Sequence, residues 1–249
     1  MLKTKNEWNL LYWTKESKEK NFGDYLGQIY FDLAGIKVKE EGRPCFTIGT
    51  VLSQFWWDRI NLPILVWGSG SCGFDLPAIR NKDRITCVRG PLTKKWLSLP
   101  EKTPMGDPAL LLTRLYSPAK KKTGPTKIFN YSNHEHGITT KIFPDQWKSL
   151  VDSIANAEIV LANTLHAAIV AQAYGVPWAM YQFNEENPLP LRWKDWFAYL
   201  GLPASALQPA SNEQEAFDWW DKWKGYIEIR SIEPLIESCP WSQLRKIIK

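Results

Sequence analysis

The stretch Ile159-Val-Leu-Ala-Asn-Thr-Leu-His-Ala-Ala-Ile-Val-Ala-Gln-Ala-Tyr-Gly-Val-Pro-Trp-Ala-Met-Tyr181 contains no Asp, Glu, Lys or Arg. Counted by length alone it is long enough to cross a bilayer. Its interior argues against that reading, because Asn163, Thr164, His166, Gln172, Gly175 and Pro177 divide it into short pieces. The pieces are a strand at 158–162, a helix at 164–174 and a second strand at 177–182, with Leu165, Ala168, Ile169 and Ala173 on the helix face that meets a sheet. Apolar strands on either side of such a helix are what a buried β-α-β unit requires, since parallel strands are covered on both faces. The fold class that follows is α/β with mainly parallel sheets.

The same alternation extends in both directions. Upstream, strands are expected at 8–12, 64–67 and 84–88 and a helix at 24–34; the pattern restarts downstream with a strand at 127–131 and a helix at 145–156. Between the two series lies Pro118-Ala-Lys-Lys-Lys-Thr-Gly-Pro125, basic, rich in turn formers and without apolar periodicity, which reads as an exposed linker. The expected division is a first lobe at 1–118 and a second at 125–249, with the last helix packed back on the first lobe. The Trp-rich remainder from Trp193 to Trp241 reads as amphipathic helices covering a sheet, with Trp219, Trp220 and Trp223 in the core or at a lobe interface rather than forming a sugar platform.

With 249 residues, 44% hydrophobic and 13% aromatic, the chain has material for a substantial core, which excludes a disordered segment. A formal net charge of +5, from 31 Lys and Arg against 26 Asp and Glu, is too mild and dispersed for an obligate nucleic-acid binder but suits acidic small molecules. The run Lys120, Lys121, Lys122 reads as solvated loop charge. Cys45, Cys72, Cys87 and Cys239 lack the close pairs of a zinc site or redox dithiol, so no metal and a reducing compartment are expected. The start, Met1-Leu-Lys-Thr-Lys-Asn-Glu-Trp8, is polar where a secretory signal needs an apolar run, which points to the cytoplasm.

In an open parallel sheet, ligands gather at the carboxyl ends of strands, so polar residues there are the first candidates. Gly68-Ser69-Gly70 follows one expected strand, Arg89 another, Asn130 to His134 a third, and Asn163-Thr164-Leu165-His166 a fourth. Asn163 suits an N-cap, which puts His166 in the first turn of its helix. Free N–H groups and the positive end of the helix dipole favour an anion there and disfavour a protonated imidazole. A neutral imidazole beside a bound phosphate or carboxylate is an acid/base candidate, the alternative being a core histidine bonded to a carbonyl.

Arg89 precedes Gly90-Pro91, a corner from which a guanidinium can fork onto a phosphate or carboxylate; the alternative is a salt bridge. Gly68-Ser-Gly-Ser-Cys-Gly73 has the spacing of a dinucleotide fingerprint, but Phe74-Asp-Leu-Pro77 does not open the helix that mechanism demands, leaving a glycine turn with close backbone approach or a plain turn. Asn21 or Asp24 can cap the helix that follows, with Gly23 able to take a positive φ. Asp107, in Met105-Gly-Asp-Pro108, either faces a cleft or only closes a turn.

Taken in order, Asn21-Phe-Gly-Asp-Tyr-Leu-Gly27, Gly68-Ser-Gly70, Val88-Arg-Gly-Pro-Leu-Thr93, Gly106-Asp-Pro-Ala-Leu110, Asn163-Thr-Leu-His-Ala-Ala168 and Tyr174-Gly-Val-Pro177 resemble the polysaccharide pyruvyl transferases, and Leu191-Arg-Trp-Lys-Asp-Trp196 extends the likeness. The resemblance implies a GT-B-like architecture of two Rossmann-like lobes, the first on the acceptor side and the second on the donor side of an active-site cleft. It implies transfer of the pyruvyl unit of phosphoenolpyruvate onto a sugar as a cyclic ketal in bacterial exopolysaccharide or capsule biosynthesis, with no cofactor. His166 and Arg89 are the catalytic residues it implies, and Asn21, Gly23, Asp24, Gly68, Ser69, Gly70, Asp107, Asn163, Thr164 and Leu165 the substrate-binding ones.

Thr164 stands where the family often carries Arg, so the anion contact expected there is either lost or supplied by Arg192. Asn130-Tyr-Ser-Asn-His134 stands where many relatives have Pro-His-Tyr, so that histidine is replaced by Asn130 or displaced to His134. The implied partners are phosphoenolpyruvate and a sugar or lipid-linked oligosaccharide, with no nucleic acid, peripheral docking at the inner membrane face as an option, and the oligomeric state open. Two other functions fit the same architecture: a glycosyltransferase using a nucleotide sugar, and a glycan-binding relative without turnover.

Overall fold

Val160–Ala162, Leu165–Ala173 and Trp178–Met180 form the strand, helix and strand expected at 158–182, and every residue of both strands is buried. The computed structural model describes residues 7–119, 121–129, 137–182 and 191–249. In chain order the first half comprises β1 (Trp8–Leu10), β2 (Lys20–Asn21), α1 (Phe22–Leu33), β3 (Arg43–Phe46), α2 (Gln54–Arg59), β4 (Leu65–Trp67), β5 (Arg84–Cys87), α3 (Pro91–Trp96) and a 3-10 helix at Pro108–Arg114. The second half comprises β6 (Thr126–Phe129), β7 (Ile138–Thr139), β8 (Lys141–Ile142), α4 (Trp147–Ala155), β9 (Val160–Ala162), α5 (Leu165–Ala173) and β10 (Trp178–Met180). Four helices follow: α6 (Leu191–Tyr199), α7 (Glu213–Trp223), α8 (Glu233–Glu237) and α9 (Ser242–Ile248).

The strands make two four-stranded parallel sheets, β1-β3-β4-β5 and β10-β9-β6-β7, so the α/β class is observed directly. An antiparallel pair, β2 with β8, ties the entry to α1 to the second half of the chain. One hydrophobic cluster runs from Leu10 to Ile248 through both sheets, and a smaller one around Phe46, Trp57 and Val66 fills the other face of the first sheet. The C-terminal end completes the first sheet's core. Trp241 meets Phe31, Trp8 and Trp67 edge-on with centroids 4.8, 5.6 and 5.9 Å away, and Trp67 Nε1 donates to the Leu235 carbonyl at 2.9 Å. Trp219 lies 5.2 Å from Trp178 and donates to the Ala206 carbonyl at 2.9 Å, a core indole with its one polar atom satisfied.

Three local expectations change. Asn163 does not cap α5: Thr164 is the N-cap residue, without a side-chain cap bond, and the Asn163 amide donates to the Tyr181 and Gln182 carbonyls at 3.1 and 2.9 Å. Carbonyls at the end of β10 come alongside and outcompete the cap. Helix 24–34 starts two residues earlier, at Phe22, with Asn21 Oδ1 accepting from Asp24 N at 3.4 Å. Strand β3 adds to the expected elements, and although proline within a strand ordinarily marks a sheet edge, β3 with its Pro44 lies inside the sheet.

Candidate functional site

Helices α1 and α5 begin in the wall of one cleft of about 490 Å³, which Asn21, Gly23 and Asp24 and then Thr164, Leu165 and His166 line, joined by Leu191 and Arg192 of α6. The positive dipole ends of α1 and α5 therefore gather on one side of the cavity. Trp13, Thr50, Ser53, Cys72, Phe74, Asp75 and Thr140 complete the lining from other segments. The hydroxyls of Ser53, Thr140 and Thr164 are buried and have no protein hydrogen-bond partner. Buried hydroxyls left unpaired cost free energy unless a ligand or water takes them up.

His166 is almost wholly enclosed, 8% exposed. Its Nε2 stands 3.5 Å from Asp107 Oδ2, and the opposite Nδ1 edge packs over Gly23, where a Cβ would overlap the ring. The glycine is thus needed for close approach, not for the positive φ that the sequence suggested. Asp107 is buried and its other oxygen accepts from Ala109 N at 2.9 Å, capping the Pro108–Arg114 turn and fixing the carboxylate behind the imidazole. Nε2 and Asp107 Oδ2 face each other without a hydrogen bond and have no other partner, so a buried carboxylate backs an imidazole that lines the cleft.

Asp24 lies deep in this cleft. Burial raises its pKa from the ordinary 3.8 to about 6, against the lowering charges of His166, Arg192 and Arg89, with Asp107 adding to the rise. Part of its surface still faces the cavity, so water there moderates the effect. The unfolded chain ionises this carboxyl near pH 3.8 while the folded protein holds its proton to about pH 6, so stability falls as pH rises through that window and stays lower above it. Asp24→Asn is expected to be more stable than the parent at pH 7.5, by at most about 3 kcal/mol, and to lose that advantage near pH 4. Urea unfolding at the two pH values checks this; an advantage that does not depend on pH would show the carboxyl to be solvated.

Arg89 stands one layer behind the lining. It is fully buried, with Nε 3.5 Å from Asp195 Oδ2, Nη1 donating to Thr50 Oγ1 at 2.9 Å and Nη2 to the Ser71 carbonyl at 3.4 Å. Gly70 is the floor beneath it, since a Cβ there would run into the guanidinium. Asp195, on α6, also accepts from Leu92 N, Thr93 N and Thr93 Oγ1 at 2.9, 3.0 and 2.6 Å, so it caps α3 from a distant helix. The fork onto a ligand expected of Arg89 is thus engaged within the protein, and the arginine among the cleft's lining residues is Arg192.

Gly68 packs on Pro108 and Ser69 donates to the Thr47 carbonyl at 3.0 Å, so the Gly68-Ser69-Gly70 turn supports the wall from behind. Asn130 and His134 lie outside the described residues. Among the described residues, no group of three or more His, Cys, Asp or Glu is placed to hold a metal ion, and no helix is long and apolar enough to cross a membrane. Trp13, Thr50, Ser53 and Thr140 escaped the sequence reading, because the fold brings them to the cleft from segments far apart in the chain.

No protein-family model matches the chain. A curated protein does. The chain is similar to succinoglycan biosynthesis protein ExoV of Rhizobium meliloti (strain 1021). The two are 26% identical over 226 residues, covering 82% of this chain and 69% of ExoV. Among solved structures, the uncharacterized protein KP1_0663 from Klebsiella pneumoniae subsp. pneumoniae NTUH-K2044 superimposes with a TM-score of 0.46 and 13% identity, covering 78% of this chain and 88% of its own.

Proposed function

We propose that this chain is a pyruvyl transferase of polysaccharide biosynthesis, moving the pyruvyl unit of phosphoenolpyruvate onto two hydroxyls of a sugar as a cyclic ketal. The observation that carries the reading is the convergence of two helix starts, Arg192 and the unpartnered Thr140 and Thr164 hydroxyls on one cleft beside a carboxylate-backed histidine. That set suits a small, multiply charged anion next to a proton carrier. Similarity to a protein named for succinoglycan biosynthesis supports a saccharide acceptor. Two parallel sheets with a cleft lined from both halves of the chain are compatible with a GT-B-like arrangement, residues 1–118 serving the acceptor and 125–249 the donor.

In this mechanism Asp107 backs the Nε2 side of His166, and the imidazole gives a proton, directly or through water, to the methylene carbon of phosphoenolpyruvate. The resulting oxocarbenium-like centre is attacked by one sugar hydroxyl. Phosphate departs with the C–O bonding pair, and the second hydroxyl closes the ketal. Of the two protons the hydroxyls release, one restores His166 and the other leaves with phosphate. Arg192 and the helix starts hold the donor's charges, and Arg89 acts as a positioning residue, bracing Thr50 and the Ser71 segment through its own bonds. The donor is already activated, so the reaction calls for no cofactor. An anion entering beside Asp24 favours its protonated form, which couples donor binding to proton uptake. We place the reaction in the cytoplasm, where phosphoenolpyruvate is made, with a lipid-linked acceptor reached at the inner membrane face.

The deciding assay supplies phosphoenolpyruvate and a panel of cell-surface glycan precursors. Phosphate release that requires both substrates, with the acceptor gaining one pyruvate less one water, is the expected result. Nucleoside diphosphate release from a nucleotide sugar would replace this reading with a glycosyltransferase, and binding of glycan with no turnover of either donor would replace it with a non-catalytic glycan binder.

A further inference from the structure

Trp13 follows β1 with its indole 48% exposed, yet its position is fixed. Nε1 donates to the Thr50 carbonyl at 3.1 Å, and the ring lies against Trp56 and Phe55 with centroids 5.1 and 5.2 Å away. An exposed aromatic ring that is already immobilised offers a flat apolar face at little further entropic cost to whatever stacks on it. Solvated single aromatics on a surface need no explanation, but this one is recessed in a concave wall.

That wall belongs to two cavities at once. Trp13, Asn21 and Asp24 line both the candidate cleft and a neighbouring groove of about 780 Å³ whose far side carries Lys18, Glu19, Lys141 and Phe143. Strands β2 and β8 supply Asn21 and Lys141 from opposite halves of the chain, so the groove crosses the seam between them. Each cavity alone is of ligand size, and together they exceed what a small donor needs. The groove alternates exposed aromatic faces, Trp13 and Phe143, with charged and hydroxyl-bearing side chains such as Lys18, Glu19 and Ser17. A pyranose has the same two characters, an apolar C–H face and a rim of hydroxyls.

We infer that Trp13 is the acceptor platform: a sugar ring stacks on the indole with its hydroxyls directed toward His166, and the next residues of an oligosaccharide lie along the groove toward Lys141 and Phe143. The inference rests on the reading that the acceptor is a saccharide. It assigns Trp13 to acceptor binding alone, with the donor held on the side of α5 and α6.

Saturation-transfer NMR and calorimetric titration with a β-linked glucan tetrasaccharide, in parallel with phosphoenolpyruvate binding followed by ³¹P line width, test it on the full chain. Trp13→Ala is expected to weaken tetrasaccharide binding about tenfold and Trp13→Phe about threefold or less, with phosphoenolpyruvate binding within about twofold of the parent in both. Phe143→Ala is expected to weaken the tetrasaccharide but not a glucose monosaccharide. Unchanged tetrasaccharide binding by Trp13→Ala overturns the platform, as does an equal loss of donor and sugar. Trp13-dependent binding to anionic phospholipid vesicles with no saccharide binding likewise overturns it, in favour of a membrane contact. A parent protein that neither binds nor modifies any saccharide removes the functional reading itself, whereas a parent that does so with an indifferent Trp13→Ala removes the platform only.

Discussion

Replacing His166 by alanine should reduce ketal formation by about a hundredfold to ten-thousandfold at saturating donor, the usual contribution of a positioned acid/base. The size follows from how completely the imidazole is held. One edge faces Asp107 at 3.5 Å, the other packs on Gly23, and only 8% of the residue meets solvent, so no neighbouring side chain can swing in to replace it. His166→Gln fills similar space without titrating and should be nearly as impaired. Steady-state phosphate release gives the rate, and deuterium incorporation into the pyruvyl methyl group in D₂O reports the proton step itself. Deleting a nearly buried ring that faces Asp107 should also lower the melting temperature by several degrees, so the rates are compared at a temperature where both proteins are folded. Normal turnover by His166→Ala would remove it from the chemistry.

The largest stability loss is expected at Asp195. Asp195→Ala strips the charge partner from a guanidinium with no exposure to solvent and simultaneously removes three acceptor contacts at the start of α3. Breaking a buried pair by deleting one member costs about 3–5 kcal/mol, which for a chain of this size is a fall of roughly 10 °C or more in Tm. Asp195→Asn keeps an oxygen for the Leu92 and Thr93 N–H groups and loses only the charge, so it should fall between Asp195→Ala and the parent. Thermal unfolding of the three proteins measures the order. Equal Tm values for Asp195→Ala and the parent would show that Arg89 reaches water or another partner when released.

The β-α-β unit at 158–182 was legible because its information is local: apolar continuity, polar breaks at fixed places and a glycine-proline exit. His166 was legible for the same reason, its chemistry depending on a strand end and a helix start adjacent in the chain. Arg89 illustrates the boundary. Its corner can be read from Arg-Gly-Pro, but where the guanidinium points depends on Asp195, about a hundred residues later, and a lone acid in a Trp-rich amphipathic helix looks like a solvent-facing charge. Asn163 fails similarly, since the carbonyls that take its amide arrive from β10. Trp13 was invisible as a surface feature because an aromatic after a strand ordinarily reads as core; only its tethering to Thr50 and recessed exposure reveal otherwise.

The indole of Trp241 sits among Trp8, Phe31 and Trp67, deep in the first sheet's interior. During synthesis the ribosome delivers those three aromatics long before their partner, so the first sheet's interior stays underfilled until residue 241 has emerged. The two halves consequently mature together, and a fragment ending within 118–125 inherits a hole the size of a tryptophan rather than a filled core.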